Sequence, residues 1–208
     1  AWHLLTKEFN LDKSKIIITV FKEDSESFNL WKKMTGFSDS QILKISTDDN
    51  FWSMGDLGPC GPCSEIFFDN GSGLSGGLPG TKTQDGERYI EIWNLVFMEF
   101  EKTKFDLKKL PGKFVDTGMG LERLTAVLNN KVNNYETDLY LNIIEEIKKL
   151  TKKNIDRKNI SSFRIISDHI KSITFLMSEG ILPSNEGRGY VLRRIIRRAS
   201  LHCHKLNN

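Results

Sequence analysis

Cysteine is scarce in this chain: Cys60, Cys63 and Cys203 are the only three among 208 residues. A small, odd number argues against a disulfide framework and for a reducing compartment, so the cytoplasm is the expected location. No apolar run approaches the roughly 20 residues of a membrane span, so no membrane partner is expected. Ala1-Trp2-His3-Leu4-Leu5-Thr6-Lys7-Glu8 lacks the charged start and apolar core of a secretion signal. An initiator methionine is missing too, and the first ten residues look helical. The chain is therefore expected to be a piece of something longer. There is no internal repeat.

What is present fits a globular protein, with 38% hydrophobic and 27% charged residues. The length allows one large domain or two modest ones. The net charge of +3 conceals a division. Residues 151–208 carry 12 Lys and Arg against 4 Asp and Glu, whereas residues 1–150 carry 18 against 23. A basic tail behind an acidic body points to a polyanion as the tail's partner, or to a solvated basic surface.

Ile16-Ile17-Ile18-Thr19-Val20-Phe21 is a β-branched run typical of a strand. Residues 24–36 read as a short helix, with Ser25 or Ser27 near its start and Gly36 past its end. Residues 51–69 read as turn-rich, and 70–80, with five glycines, as a mobile surface loop. Tyr89 to Phe100 reads as one long strand with apolar residues on both faces. Ile90, Ile92, Asn94, Val96 and Met98 share one face, which leaves Glu91 on the other if the strand is regular. Phe114-Val115 is a short strand, followed by helices over 119–129 and 135–150. After a charged connector the chain turns helical. Ile166, Ile170, Ile173 and Met177 form one apolar stripe there. From Glu186 to His202, Val191, Leu192, Ile195, Ile196 and Ala199 take one side of a helix. Arg193, Arg194, Arg197 and Arg198 lie towards the other.

Two stretches carry chemistry. In Asp116-Thr117-Gly118-Met119-Gly120-Leu121-Glu122-Arg123, two glycines allow close backbone approach where a helix begins with unpaired N–H groups. Arg123 lies one turn in, within reach of a phosphate, and Asp116 can hold an ammonium group. The plain alternative is a strand–turn–helix. In Pro183 to Arg194, Asn185 precedes an arginine-rich helix. It is suited either to capping that helix or to reading a minor-groove base pair. The Cys60-Gly61-Pro62-Cys63 element has three readings: a thiol–disulfide site, half of a zinc site completed by His202, Cys203 and His204, or a proline-fixed turn with two packed thiols.

The octapeptide at 116–123 resembles motif 3 of the class II aminoacyl-tRNA synthetases, most closely that of the alanyl-tRNA synthetases. Asn50 to Asp56, Gly58 to Ile66, Glu91 to Phe97 and Asp168 to Arg198 resemble the same family, in the same order. The resemblance implies an α+β fold: a class II antiparallel sheet with flanking helices, followed by a helical segment. Residues 1–150 are then the later part of the catalytic domain, 151–160 a linker, and 161–208 the start of a tRNA-recognition domain. It implies ATP, accompanied by Mg²⁺, at Gly118, Gly120 and Arg123. L-alanine is implied beside Trp52, Asn94, Val96, Asp116 and Gly118: Trp52 as a wall, Asp116 on the amino group, Val96 and Gly118 lining the methyl site. A tRNA acceptor stem is implied at Asn185, Arg188, Arg193, Arg194, Arg197 and Arg198, with Asn185 on a G·U pair. It favours packed thiols at Cys60 and Cys63, over the rival readings of a thiol–disulfide oxidoreductase and a non-catalytic RNA-binding module. The family's motifs 1 and 2 are expected before Ala1. A zinc-bearing editing domain is expected after Asn208, so the isolated chain is expected to form alanyl-adenylate poorly.

Overall fold

The computed structural model describes residues 1–207. They form two compact units, one from Ala1 to Asn133 and one from Asn134 onward.

In the first unit, the β-branched run forms strand β1 (Ile16–Phe21). It pairs in parallel with β2 (Ile42–Ile45), and the crossover this demands is helix α1 (Ser25–Thr35). The cap of α1 is Asp24, whose carboxylate accepts from Ser27 N–H at 2.9 Å, rather than Ser25 or Ser27. Gly36 ends the helix at φ +72°, a conformation that suits glycine. After β3 (Phe51–Ser53), the remaining strands are β4 (Gly58–Asp69), β5 (Tyr89–Lys102) and β6 (Leu107–Met119). The sheet runs β2-β1-β4-β5-β6, with β3 added to β4, and every pairing except β1–β2 is antiparallel. This is the mixed α+β, mostly antiparallel architecture that the sequence implies.

Two strands are longer than the sequence suggests. The stretch 58–69, expected as turns, is a twelve-residue strand, and Phe114-Val115 sits inside a strand of thirteen. Pro59 and Pro62 are accommodated because the β4–β5 register shifts between Cys60 and Cys63. The glycine-rich segment that follows is bonded rather than open. Arg88 grips Asp69 through two 3.0 Å hydrogen bonds, and Gly77 N–H donates to Thr83 at 2.6 Å.

One face of the sheet is core. Ile16, Ile18 and Val20 of β1 cluster there with Ile66, Ile92 and Trp31 of α1. Leu124 and Val127 of helix α2 (Leu121–Leu128) join them. The indole N–H of Trp31 donates to Ser64 Oγ at 3.0 Å.

The second unit is helical: α3 (Asp138–Thr151), α4 (Ile160–Ser178) and α5 (Gly187–Asn207). Helix α3, expected with the first segment, packs here, with Tyr140, Ile144 and Ile147 against Phe163, Ile166 and Leu206. The predicted stripe of α4 is buried only at its start. Ile166 is enclosed, whereas Ile170 and Met177 are 41% and 47% exposed, because the core reaches only the first turns of the helix. On α5, Leu192 and Ala199 are buried but Val191 is exposed. Among the described residues, no helix is long and apolar enough to cross a membrane.

Candidate functional site

Directly opposed residues in a sheet point to the same face. Asn94 opposes Gly118, and Val96 opposes both Asp116 and Cys63. Glu65 opposes Asn94 on one side and Thr19 on the other, and Trp52 opposes Gly61, two residues before Cys63. The pairing therefore gathers Trp52, Asn94, Val96, Asp116 and Gly118 on the face turned away from the core. Asp116 is exposed, Val96 buried, and Trp52 and Asn94 half-buried.

Glu91 joins them, against the sequence expectation. Ile66 pairs with Trp93 but Phe67 pairs with Glu91, so Ile92 is an extra residue on β5. This bulge reverses the alternation, and Glu91 emerges on the face of Asn94. Its carboxylate accepts from Arg123 Nη1 at 3.0 Å, and so does its carbonyl oxygen. Arg123 bends back over Gly120, where an added Cβ would meet its Cδ at 3.2 Å and its Cβ at 3.3 Å. Gly120 thus matters for how the arginine lies. Gly118, by contrast, faces open space. Neither glycine has a positive φ. The expected glycine-rich turn is really the end of β6 running into α2, with Gly120 as the capping residue.

Glu65 is the second acidic residue that sequence reasoning missed. It accepts from Thr19 Oγ1 at 3.2 Å and from Asn94 Nδ2 at 3.4 Å. Burial, with the negative charge of Glu91 adding to it, pushes its carboxyl up to about 7. A proton on this carboxyl is thus exchangeable near neutrality. The signal in the sequence was a lone glutamate inside an apolar stretch, unreadable while that stretch passed for turns. Asn94 Oδ1 is buried without a hydrogen-bond partner among the described residues.

The two thiols of the C-x-x-C element have no access to solvent. Burial pushes Cys63 up to about 12 and raises Cys60 as well. A thiol–disulfide reading fails on both counts, since the thiolate is the nucleophile. The zinc reading finds no support either. Among the described residues, no three His, Cys, Asp or Glu side chains are grouped to hold a metal.

In the second unit, Arg188, Arg193, Arg194, Arg197 and Arg198 are all exposed on α5. None of the five forms a salt bridge among the described residues. Arg194 lies over the ring of Tyr190 at 5.9 Å. Asn185 lies two residues before α5, and its oxygen accepts from Arg193 Nη1 at 2.5 Å.

A family model described as tRNA synthetases class II (A) matches residues 1–208. The chain belongs to the class II tRNA synthetases. Within that family it is 55% identical to the alanine–tRNA ligases of Rickettsia felis and Rickettsia bellii, and 52% identical to that of Rickettsia canadensis. In each case all of this chain aligns, and it spans 24% of the length of the curated relative. A class II synthetase segment with an acidic and apolar sheet face in one unit and an arginine-bearing helix in the other is thus what the site has to explain.

Proposed function

We propose that this chain is part of an alanine–tRNA ligase, which activates L-alanine with ATP and passes it to the 3′ end of tRNA. One observation supports the reading most strongly. The β5–β6 register sets Asn94 beside Gly118 and Val96 beside Asp116 on a single face, which supports grouping these four residues around a small amino acid. The Asp116 carboxylate would take the ammonium group, Val96 and the side-chain-free surface of Gly118 the methyl group, and Trp52 would close the pocket to longer side chains. Asn94 supplies a polar contact. One methylene is worth about 1–3 kcal/mol, so such a pocket excludes larger amino acids by shape rather than by affinity alone.

Arg123 and the start of α2 at Gly120 serve the nucleotide. The guanidinium rests on Glu91, so a triphosphate would compete with that carboxylate for it. A magnesium ion accompanying ATP keeps several waters and needs only one or two protein oxygens. Glu91 and the unpartnered Asn94 oxygen fit that requirement. When bound, the ion neutralises phosphate charge. The chain's own contribution is positioning: it holds the alanine carboxylate against the α-phosphorus and presents cationic and N–H groups to the developing charge. No covalent enzyme intermediate is required.

The exposed arginines of α5 suit the phosphates of an acceptor stem, and phosphate contacts set position more than sequence. In an A-form stem the readable edges lie in the shallow minor groove, where the amide of Asn185, with its oxygen held by Arg193, offers N–H donors to a G·U pair. Cytoplasmic location and ATP, alanine and tRNA as partners follow from this reading.

The test is a chimera of the Rickettsia felis ligase in which this chain replaces the matching quarter. It should catalyse alanine-dependent ATP–pyrophosphate exchange. Adding Arg197→Glu with Arg198→Glu should leave exchange intact and reduce tRNA acylation at least tenfold. A chimera that folds yet exchanges no pyrophosphate would contradict the proposal.

A further inference from the structure

The hairpin joining β5 to β6 ends in a tip unlike the rest of its unit. Residues 102–109 hold four lysines (Lys102, Lys104, Lys108 and Lys109) and one aspartate, in a part of the sequence where carboxylates outnumber cations. All four lysines are exposed. None of them forms a salt bridge among the described residues. Phe105 stands in the turn and is 95% exposed, more open than any other large apolar residue among those described. The turn beneath it is fixed. Thr103 N–H donates to the Asp106 carbonyl at 2.9 Å, and the Thr103 hydroxyl donates to the Asp106 carboxylate. The backbone N–H groups of Phe105 and Asp106 donate to Thr103 Oγ1 at 3.2 and 3.1 Å. A ring carried on a backbone held in this way is preorganised, so a contact with it costs little further ordering.

The register places the charges. Lys102 opposes Leu107 and Lys109 opposes Phe100 on one face, whereas Lys108 opposes Glu101 on the other. Positive charge therefore surrounds the tip instead of facing a single plane. A flat anionic bilayer would meet only part of it, and one phenyl ring buries little area in lipid. A flexible polyanion can follow both faces. Paired bases offer no open surface to a phenyl ring, whereas unpaired nucleotides present a π-face and flanking phosphates together. The tip thus has the chemistry that binds single-stranded nucleic acid. Its place in the fold adds a direction. Val96, on the alanine face, lies on the same strand as Lys102, roughly 20 Å along it at about 3.3 Å per residue.

We propose that this tip holds the unpaired stretch of tRNA leading to its 3′ end, with one base stacked on Phe105 and the four lysines drawing the neighbouring phosphates. This rests on the reading of the chain as part of an alanine–tRNA ligase, and it adds a contact separate from the arginines of α5. The test uses the ligase chimera and an alanine tRNA transcript, intact or trimmed of its unpaired 3′ nucleotides. Phe105→Ala should raise the Kd of intact tRNA about fivefold or more, the loss expected for one stacked base. It should leave the Kd of trimmed tRNA within about twofold of the parent's and leave alanine-dependent pyrophosphate exchange unchanged. Replacing the four lysines together by glutamine should flatten the slope of log Kd against log salt by about 2–3. Phe105 and the lysines are exposed, and thermal melts confirm that each variant folds. An unchanged Kd for intact tRNA, an equal loss with trimmed tRNA, or an unchanged salt slope would each overturn the proposal. A parent chimera without exchange would count against the ligase reading instead. The tip is then tested in the chain itself with a labelled single-stranded RNA dodecamer, where the same loss on Phe105→Ala is expected and no loss would overturn the proposal.

Discussion

At the scale of single residues, burial decides chemistry more than residue type does. Cys60 and Cys63 form a redox-like tetrapeptide in the sequence, yet both are enclosed and their thiols are pushed up by desolvation. Only Cys203 is exposed. A thiol reagent such as dithionitrobenzoate should therefore titrate one thiol rapidly in the native chain and three after denaturation. Rapid reaction of two or three thiols in the folded chain would show the pair to be accessible. Glu65 shows the same effect on an acid. Its folded pKa of about 7 lies above the ordinary glutamate value, so the native state holds the proton more tightly than the unfolded state. The resulting stability is fully present at low pH and is lost as pH rises towards and through 7. The span amounts to roughly 3 kcal/mol at most. Thermal melts should show the difference between the parent chain and Glu65→Gln moving in favour of the variant between pH 5 and pH 8. A difference constant over that range would mean that Glu65 titrates normally.

Elements show which parts of the architecture could be read in advance. β1, α1, β5 and the helices of the second unit follow from β-branched runs, periodicity and the Gly36 stop, all of which act locally. β4 and β6 do not. Their glycines and prolines have low strand propensity, and they are strands because pairing within the sheet supplies hydrogen bonds that local preference lacks. Glu91 was assigned to the wrong face for a related reason: one extra residue at Ile92, fixed by register with β4, inverts everything before it. Conversely, Asn94, Val96, Asp116 and Gly118 could be grouped beforehand because the family motif carried the pairing information. The helical unit has a small core, so its elements should depend heavily on single side chains. Phe163 has no exposure, and Phe163→Ala should cost about 3–5 kcal/mol. Denaturant unfolding followed at helical wavelengths measures this, and a loss below 1 kcal/mol would mean that the core of α3, α4 and α5 is not what holds the unit.

At the scale of the whole molecule, charge is divided between units. The first carries the acidic and apolar face and the second most of the arginines, and the opposed charges of the two parts of the sequence already announced this. The boundary was less legible. Helix α3 has the amphipathic pattern of either neighbour, and only packing assigned it to Phe163 and Ile166. If the division is functional, damage to the sheet face should affect the amino acid and leave RNA untouched. The most direct measurement is alanine-dependent pyrophosphate exchange and tRNA affinity in the same ligase chimera carrying Asp116→Ala. Loss of a hydrogen-bonded charge partner is worth roughly 1.5–3 kcal/mol, so the alanine KM should rise at least tenfold while the tRNA Kd changes less than twofold. An unchanged alanine KM, or equal losses of alanine and tRNA binding, would contradict the assignment of this sheet face to the amino acid.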